Sequence, residues 1–88
     1  DHPLALFNLG SAYAIQGQFD RAIEFFHRAE RAGPPSHTLF NSLAQAYEAK
    51  GQLDRAAEYL RRSLQVRPNQ PDRRAGLKRI EARLRKKS

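Results

Sequence analysis

The 88-residue chain contains no cysteine, which excludes a disulfide framework and a thiolate metal site. No apolar run approaches the roughly 20 residues that a membrane-crossing helix needs, so no membrane span is expected. There is no Gly-rich phosphate loop and no cluster of metal-ligating side chains. Histidine is scarce. His2 and His37 stand at helix entries, His27 lies beside Arg28, and none sits at a spacing from a carboxylate or hydroxyl that suggests a dyad. Nucleophilic and acid–base catalysis need such matched groups. No carboxylate pair stands apart from the Asp and Glu at helix starts. The expectation is therefore no enzyme, no cofactor and no metal, with room for a catalytic domain elsewhere in a longer chain. The sequence begins at Asp1 without Met and shows no signal peptide, so it reads as a piece of a longer protein, with the cytoplasm as the default location.

What is present is charge, unevenly placed. The formal net charge is +7. Residues 3–36 are balanced, residues 37–70 carry +2, and residues 71–88 carry +6, with eight Lys and Arg against Asp72 and Glu81. Hydrophobic residues make up 40% of the chain, enough for a small single core and too many for a disordered tail.

The chain also says one thing twice. Residues 17–22 read GQFDRA and residues 51–56 read GQLDRA. Laying residues 3–36 over 37–70 gives 11 identities in 34 positions, among them Leu9/Leu43, Tyr13/Tyr47, Gly17/Gly51, Ala22/Ala56 and Pro34/Pro68. A fixed period of this size marks a stacked repeat. Within each unit the apolar residues recur at helical spacing. Leu6, Leu9, Gly10 and Tyr13 form one stripe, which Gly17 stops by adopting a left-handed conformation. Asp20 is the expected N-cap of a second helix, whose stripe is Ala22, Phe25, Phe26 and Ala29, and Gly33-Pro34 ends it. The second unit repeats the pattern through Phe40, Leu43, Ala44, Tyr47, Gly51, Asp54, Ala56, Tyr59, Leu60 and Ser63 to Pro68. Gly10, Ala22, Ala44 and Ala56 let paired helices approach closely. Pro71 suits the first turn of a further helix, where Leu77, Ile80 and Leu84 give one apolar face and Lys78 and Glu81 stand where the repeats have a small residue and a Tyr. One buried and one wet face describe a capping helix. The expected spans are 3–15, 20–32, 37–49, 54–66 and 71–86.

This pattern resembles the tetratricopeptide repeat. The first unit carries its signature in Leu9, Gly10, Tyr13, Gly17, Ala22, Phe26, Ala29 and Pro34, and the second in Leu43, Ala44, Tyr47, Gly51, Ala56, Leu60 and Pro68. The second departs at Ser63, where the family favours Ala, and the early Trp is replaced by Leu6 and Phe40. The rival pentatricopeptide family prefers a period of 35, against 34 here. The resemblance implies an all-α fold: a right-handed superhelical stack of antiparallel helix pairs, five helices in all. Repeats occupy 3–36 and 37–70, with a basic cap over 71–88. Isolated stability normally wants about three repeats, so modest stability or a missing N-terminal neighbour is expected.

The family resemblance further implies a protein-interaction scaffold that holds a peptide or helix in the concave groove lined by the first helix of each unit. The positions off the packing stripe face it. Asn8, Ser11, Asn41 and Gln45 are the candidate peptide-binding residues, because an amide both donates and accepts. Arg79 and Arg83 are candidates for an acidic group of the partner. Leu4, Phe7 and Ile15 are candidate apolar contacts, for an upstream repeat, a partner or a second copy. Some family members clamp a C-terminal carboxylate with Lys, Asn and Arg, but the corresponding positions here hold Phe7, Ser11, Ser42, Asp72 and Gly76, so that activity is not expected. The alternative reading is polyanion binding, to nucleic acid or an anionic membrane, through the basic C-terminal helix. That segment lacks interleaved aromatics for base stacking and a broad apolar face for a membrane. A protein or peptide partner is thus expected ahead of nucleic acid, and the chain is expected to be a monomer or weak homodimer.

Overall fold

The computed structural model describes residues 2–87, except for the side chain of Lys87. Ser88, the last residue of the expected cap, lies outside them. Five α-helices follow one another: α1 Pro3–Ile15, α2 Phe19–Ala32, α3 His37–Ala49, α4 Leu53–Val66 and α5 Pro71–Lys87. Each packs against its neighbours in the chain, and α1 also reaches α3. The stack measures 40 × 27 × 18 Å, elongated as expected when each unit touches only the next.

The turns are made by the glycines. Gly17 and Gly51 take φ of 79° and 77°, a region in which a β-carbon costs about 1–2 kcal/mol. The Gly17 N–H donates to the Ala14 carbonyl (3.0 Å) and the Gln18 N–H to the Tyr13 carbonyl (2.9 Å). Gly51 and Gln52 repeat this on Glu48 and Tyr47. Both turns therefore satisfy otherwise orphaned carbonyls at a helix end. This geometry also corrects the expected helix starts. α2 and α4 begin at Phe19 and Leu53, with Gln18 and Gln52 at the N-cap positions and no side-chain cap. Asp20 and Asp54 sit inside the first turn, where a carboxylate meets the positive end of the helix. Asp20 instead pairs with Lys50 of the next repeat. α3 does have a side-chain cap, Ser36 Oγ accepting from the Leu39 N–H at 3.2 Å.

The core runs continuously from Leu6 through Phe26, Leu43 and Leu60 to Ile80. A β-carbon built on Gly10 would lie 2.6 Å from the Phe26 ring, so glycine is what lets α1 meet α2 so closely. Ser63, the departure from the family pattern, is fully buried. Its hydroxyl donates to the His37 carbonyl (3.3 Å) and accepts from Gln70 Nε2 (3.0 Å). Ile80 is fully buried and Leu77 and Leu84 pack beside it, so α5 closes the end of the core as a cap should.

The stripe of α1 needs one correction. Leu43 is 0% exposed, whereas its counterpart Leu9 is 46% exposed. In the second repeat α2 lies over this position. Among the described residues no helix lies in that place against α1.

Candidate functional site

The first helices α1, α3 and α5 line a groove made of successive clefts. One cleft, about 300 Å³, is bordered by Leu4, Phe7, Pro34, Thr38 and Leu39 and is predominantly apolar. The next, about 390 Å³, is bordered by Thr38, Asn41, Ser42, Gln45, Asp72 and Arg73 and is predominantly polar. A third, between the far ends of α1 and α3, includes Ser11, Ile15, Ser42 and Gln45. A fourth brings Gln45 and Glu48 to Asp72 and Arg79. Ser11, Gln45 and Arg79 stand 34 residues apart, one position repeated on three helices, so a hydroxyl, an amide and a guanidinium follow one another along the groove.

Most of the sequence-derived candidates meet here. Leu4 is 60% exposed and Ile15 87%, both on cleft walls. Phe7 is half-buried, its ring 5.7 Å from that of Phe26, so it is a wall and also part of the packing. Arg79 reaches Glu48 at 3.4 Å, a weak, exposed contact that a stronger carboxylate ligand would displace at little cost. Asn8 and Arg83 are exposed and border none of these four clefts.

Asn41 is not the versatile amide that its type implied. Its Nδ2 donates to Gln70 Oε1 at 2.9 Å. Gln70 Nε2 in turn donates to Ser63 Oγ and to the Arg67 carbonyl at 2.8 Å. This chain of bonds fixes the Asn41 amide, and its Oδ1 is sealed from solvent with no partner among the described residues. An unpaired buried acceptor costs about 1–3 kcal/mol. Gln70 and Arg73 were not among the sequence-derived candidates. Arg73 stands where the repeats place buried Leu39, so the packing pattern assigned it to the core side.

A second polar cluster lies between α2, α3 and α4. His27 Nε2 meets the Tyr47 hydroxyl at 2.7 Å and His27 Nδ1 meets Glu30 Oε1 at 3.0 Å. The expectation that His27 lacks a carboxylate or hydroxyl partner is thus corrected. Glu30, three residues on, was within helical reach. Tyr47 comes from 20 residues away in the next repeat, a distance that no spacing rule foretells. Tyr59 also donates to Glu30 (3.3 Å), Arg62 reaches both Glu30 (3.2 Å) and Glu58 (2.9 Å), and the Tyr47 and Tyr59 rings stack at 5.9 Å. The hydroxyl–imidazole–carboxylate order is that of an activated nucleophile, but the environment opposes it. Burial, reinforced by Glu30 and opposed by Arg62, pushes Tyr59 up to about 12. Burial also raises Tyr47, against the pull of Arg55. Both phenols are held neutral, and the cluster acts as a strut tying one repeat to the next.

No curated protein matches the chain in sequence. The sequence profile described as "Tetratricopeptide repeat" matches residues 13–80, a span that starts inside α1 and ends at Ile80 in the cap. Repeats of this kind generally mediate protein–protein interaction and are typically not enzymes. With the helix pairs, the glycine turns and the repeated core positions all agreeing with that match, the chain belongs to the tetratricopeptide repeat family.

Proposed function

We propose that the groove along α1, α3 and α5 holds a segment of a partner protein, and that the chain serves as a scaffold-type binding module rather than a catalyst. The observation that carries this reading is the row of open clefts walled by the first helices, with polar and apolar side chains presented in turn. Ser11, Asn41, Gln45 and Arg79 are the proposed polar walls, with Asn8 and Arg83 at their margin. Leu4, Phe7 and Ile15 are the proposed apolar ones. The test is affinity capture from source lysate with wild type and with a Ser11→Ala/Gln45→Ala/Arg79→Ala triple, each with and without nuclease. A discrete protein retained by wild type, lost in the triple and indifferent to nuclease supports groove binding. Equal capture by both baits refutes it.

A second reading is favoured by the charge of +6 on residues 71–88 and by the exposure of Arg74, Lys78, Arg85 and Lys86 on α5. Polyanion binding there would fall steeply with salt, whereas a groove that takes apolar side chains would keep its ligand. A salt titration of the captured material separates the two.

A further inference from the structure

The apolar and the polar cleft are one site formed twice. Leu4, Phe7, Ser36 and Leu39 border the first. Thr38, Asn41, Gln70 and Arg73, each 34 residues later, border the second. The architecture is conserved between the two units while every one of these side chains changes from apolar or small to polar or charged. Thr38 belongs to both clefts, so they adjoin.

The exchange at Ser36 and Gln70 changes the chemistry further. In the first cleft the Ser36 hydroxyl caps α3 by accepting from the Leu39 N–H at 3.2 Å. In the second, Gln70 holds the same position, but its Oε1 is turned to Asn41 at 2.9 Å and its Nε2 to Ser63 and Arg67. Among the described residues no side chain accepts from the Arg73 N–H. The start of α5 therefore opens into the cleft with its amide unused, beside the Arg73 guanidinium, which has no ion-pair partner among the described residues. Arg67 adds a second positive charge at the cleft edge, its Nη1 lying 3.5 Å from His37 Nε2. Asp72 is the opposing charge, but it occupies the first turn of α5, where the helix end already compensates a carboxylate. Asn41 Oδ1 is sealed and presents no acceptor to a ligand. The overall charge of +7 draws in anions from a distance.

We infer that the segment held in the groove is an extended peptide with one apolar and one acidic side chain: the apolar one seated between α1 and α3, the acidic one between α3 and α5 against Arg73. This rests on the groove reading above and specifies its ligand. Packed helices lie about 8–10 Å apart, which an extended chain crosses in about three residues. The two anchors are therefore about three residues apart.

The test uses fluorescein-labelled peptides with a Gly/Ser background, carrying one leucine and one glutamate at a graded series of separations, with glutamine and lysine in place of glutamate as controls. Anisotropy is read with wild type, Leu4→Ser and Arg73→Ala. Leu4 is exposed, so its replacement leaves the fold intact, and circular dichroism checks Arg73→Ala. The expected result is tightest binding near three-residue separation. Arg73→Ala should weaken the glutamate peptide about tenfold, the loss of one charge-assisted hydrogen bond, and should erase its advantage over the glutamine peptide. Leu4→Ser should weaken only peptides that carry the leucine. Binding that ignores separation, or that prefers lysine to glutamate, overturns the inference while leaving the groove reading in place. No binding of any peptide to wild type overturns both.

Discussion

Replacing Gly10 by alanine sets two effects of opposite sign against each other. Alanine favours the helix by about 1 kcal/mol over glycine. Yet the new methyl would sit 2.6 and 2.7 Å from two carbons of the Phe26 ring and 3.1 Å from the Ala22 carbonyl oxygen. Carbon contacts are comfortable at about 3.5–4.0 Å, so the ring must retreat by roughly 1 Å. It has little room, being 1% exposed and held on another side by Phe7. Overpacking of this kind costs about 1–3 kcal/mol. The net expectation for Gly10→Ala is a loss of about 1 kcal/mol, or about 4–8 °C in Tm for a domain of this size. The second repeat supplies the control, because it pairs Ala44 with Leu60 where the first pairs Gly10 with Phe26. In a Phe26→Leu background the clash is relieved, and Gly10→Ala should then stabilise by up to about 1 kcal/mol. Urea melts of the four proteins followed by circular dichroism give the cycle. A stabilising Gly10→Ala in the wild-type background, or additivity within about 0.3 kcal/mol, would refute the reasoning.

Three further outcomes are expected. Leu43→Ala should cost about 2–5 kcal/mol, whereas Leu9→Ala, at the same repeat position but 46% exposed, should change stability by no more than about 0.5 kcal/mol; equal losses in urea melts would mean that something covers α1 in solution. Gly17→Ala and Gly51→Ala should each destabilise by about 1–2 kcal/mol through strain at positive φ, with no change in groove binding; thermal melts and the peptide assay together check this. Tyr59, held near 12 against an ordinary 10.0, should ionise after Tyr13 in a spectrophotometric titration. Its raised value means that its contribution to stability is complete below pH 10 and is lost as pH rises toward about 12. Tyr59→Phe should remove that late step, and an unchanged titration curve would contradict the burial argument.

How far the sequence reveals this molecule depends on the range of the interaction concerned. The glycine turns, the stripes and the cap were legible because each is a local pattern: Gly17 follows the last apolar position of α1, and Ile80 recurs at helical spacing with Leu77 and Leu84. The error at Asp20 arose where two local rules compete. Aspartate is a good N-cap, but the turn at Gly17 brings Phe19 into the helix first. Leu9 shows another limit, since a repeat tells which residues would face a neighbour and not whether one is there. The groove was legible as a surface, because Leu4, Ser11, Gln45 and Arg79 fall off the stripe. Its chemistry was not. The orientation of the Asn41 amide depends on Gln70, 29 residues away, and Gln70 in turn on Ser63. The exposure of the α5 amide follows from the same long-range bonds. His27 and Tyr47 meet for a similar reason, across the repeat boundary.

The central claim is that α1, α3 and α5 hold the partner on their groove side and that the outer face of α5 does not. An amide chemical-shift map of the protein, recorded as the tightest-binding leucine–glutamate peptide is added, tests it most directly. The account predicts that the largest shifts fall on Thr38, Ser42, Gln45 and Arg73, with Lys78 and Lys86 unmoved. Shifts concentrated on Arg74, Lys78 and Lys86, and abolished by moderate salt, would contradict it and make the basic face of the last helix the binding surface.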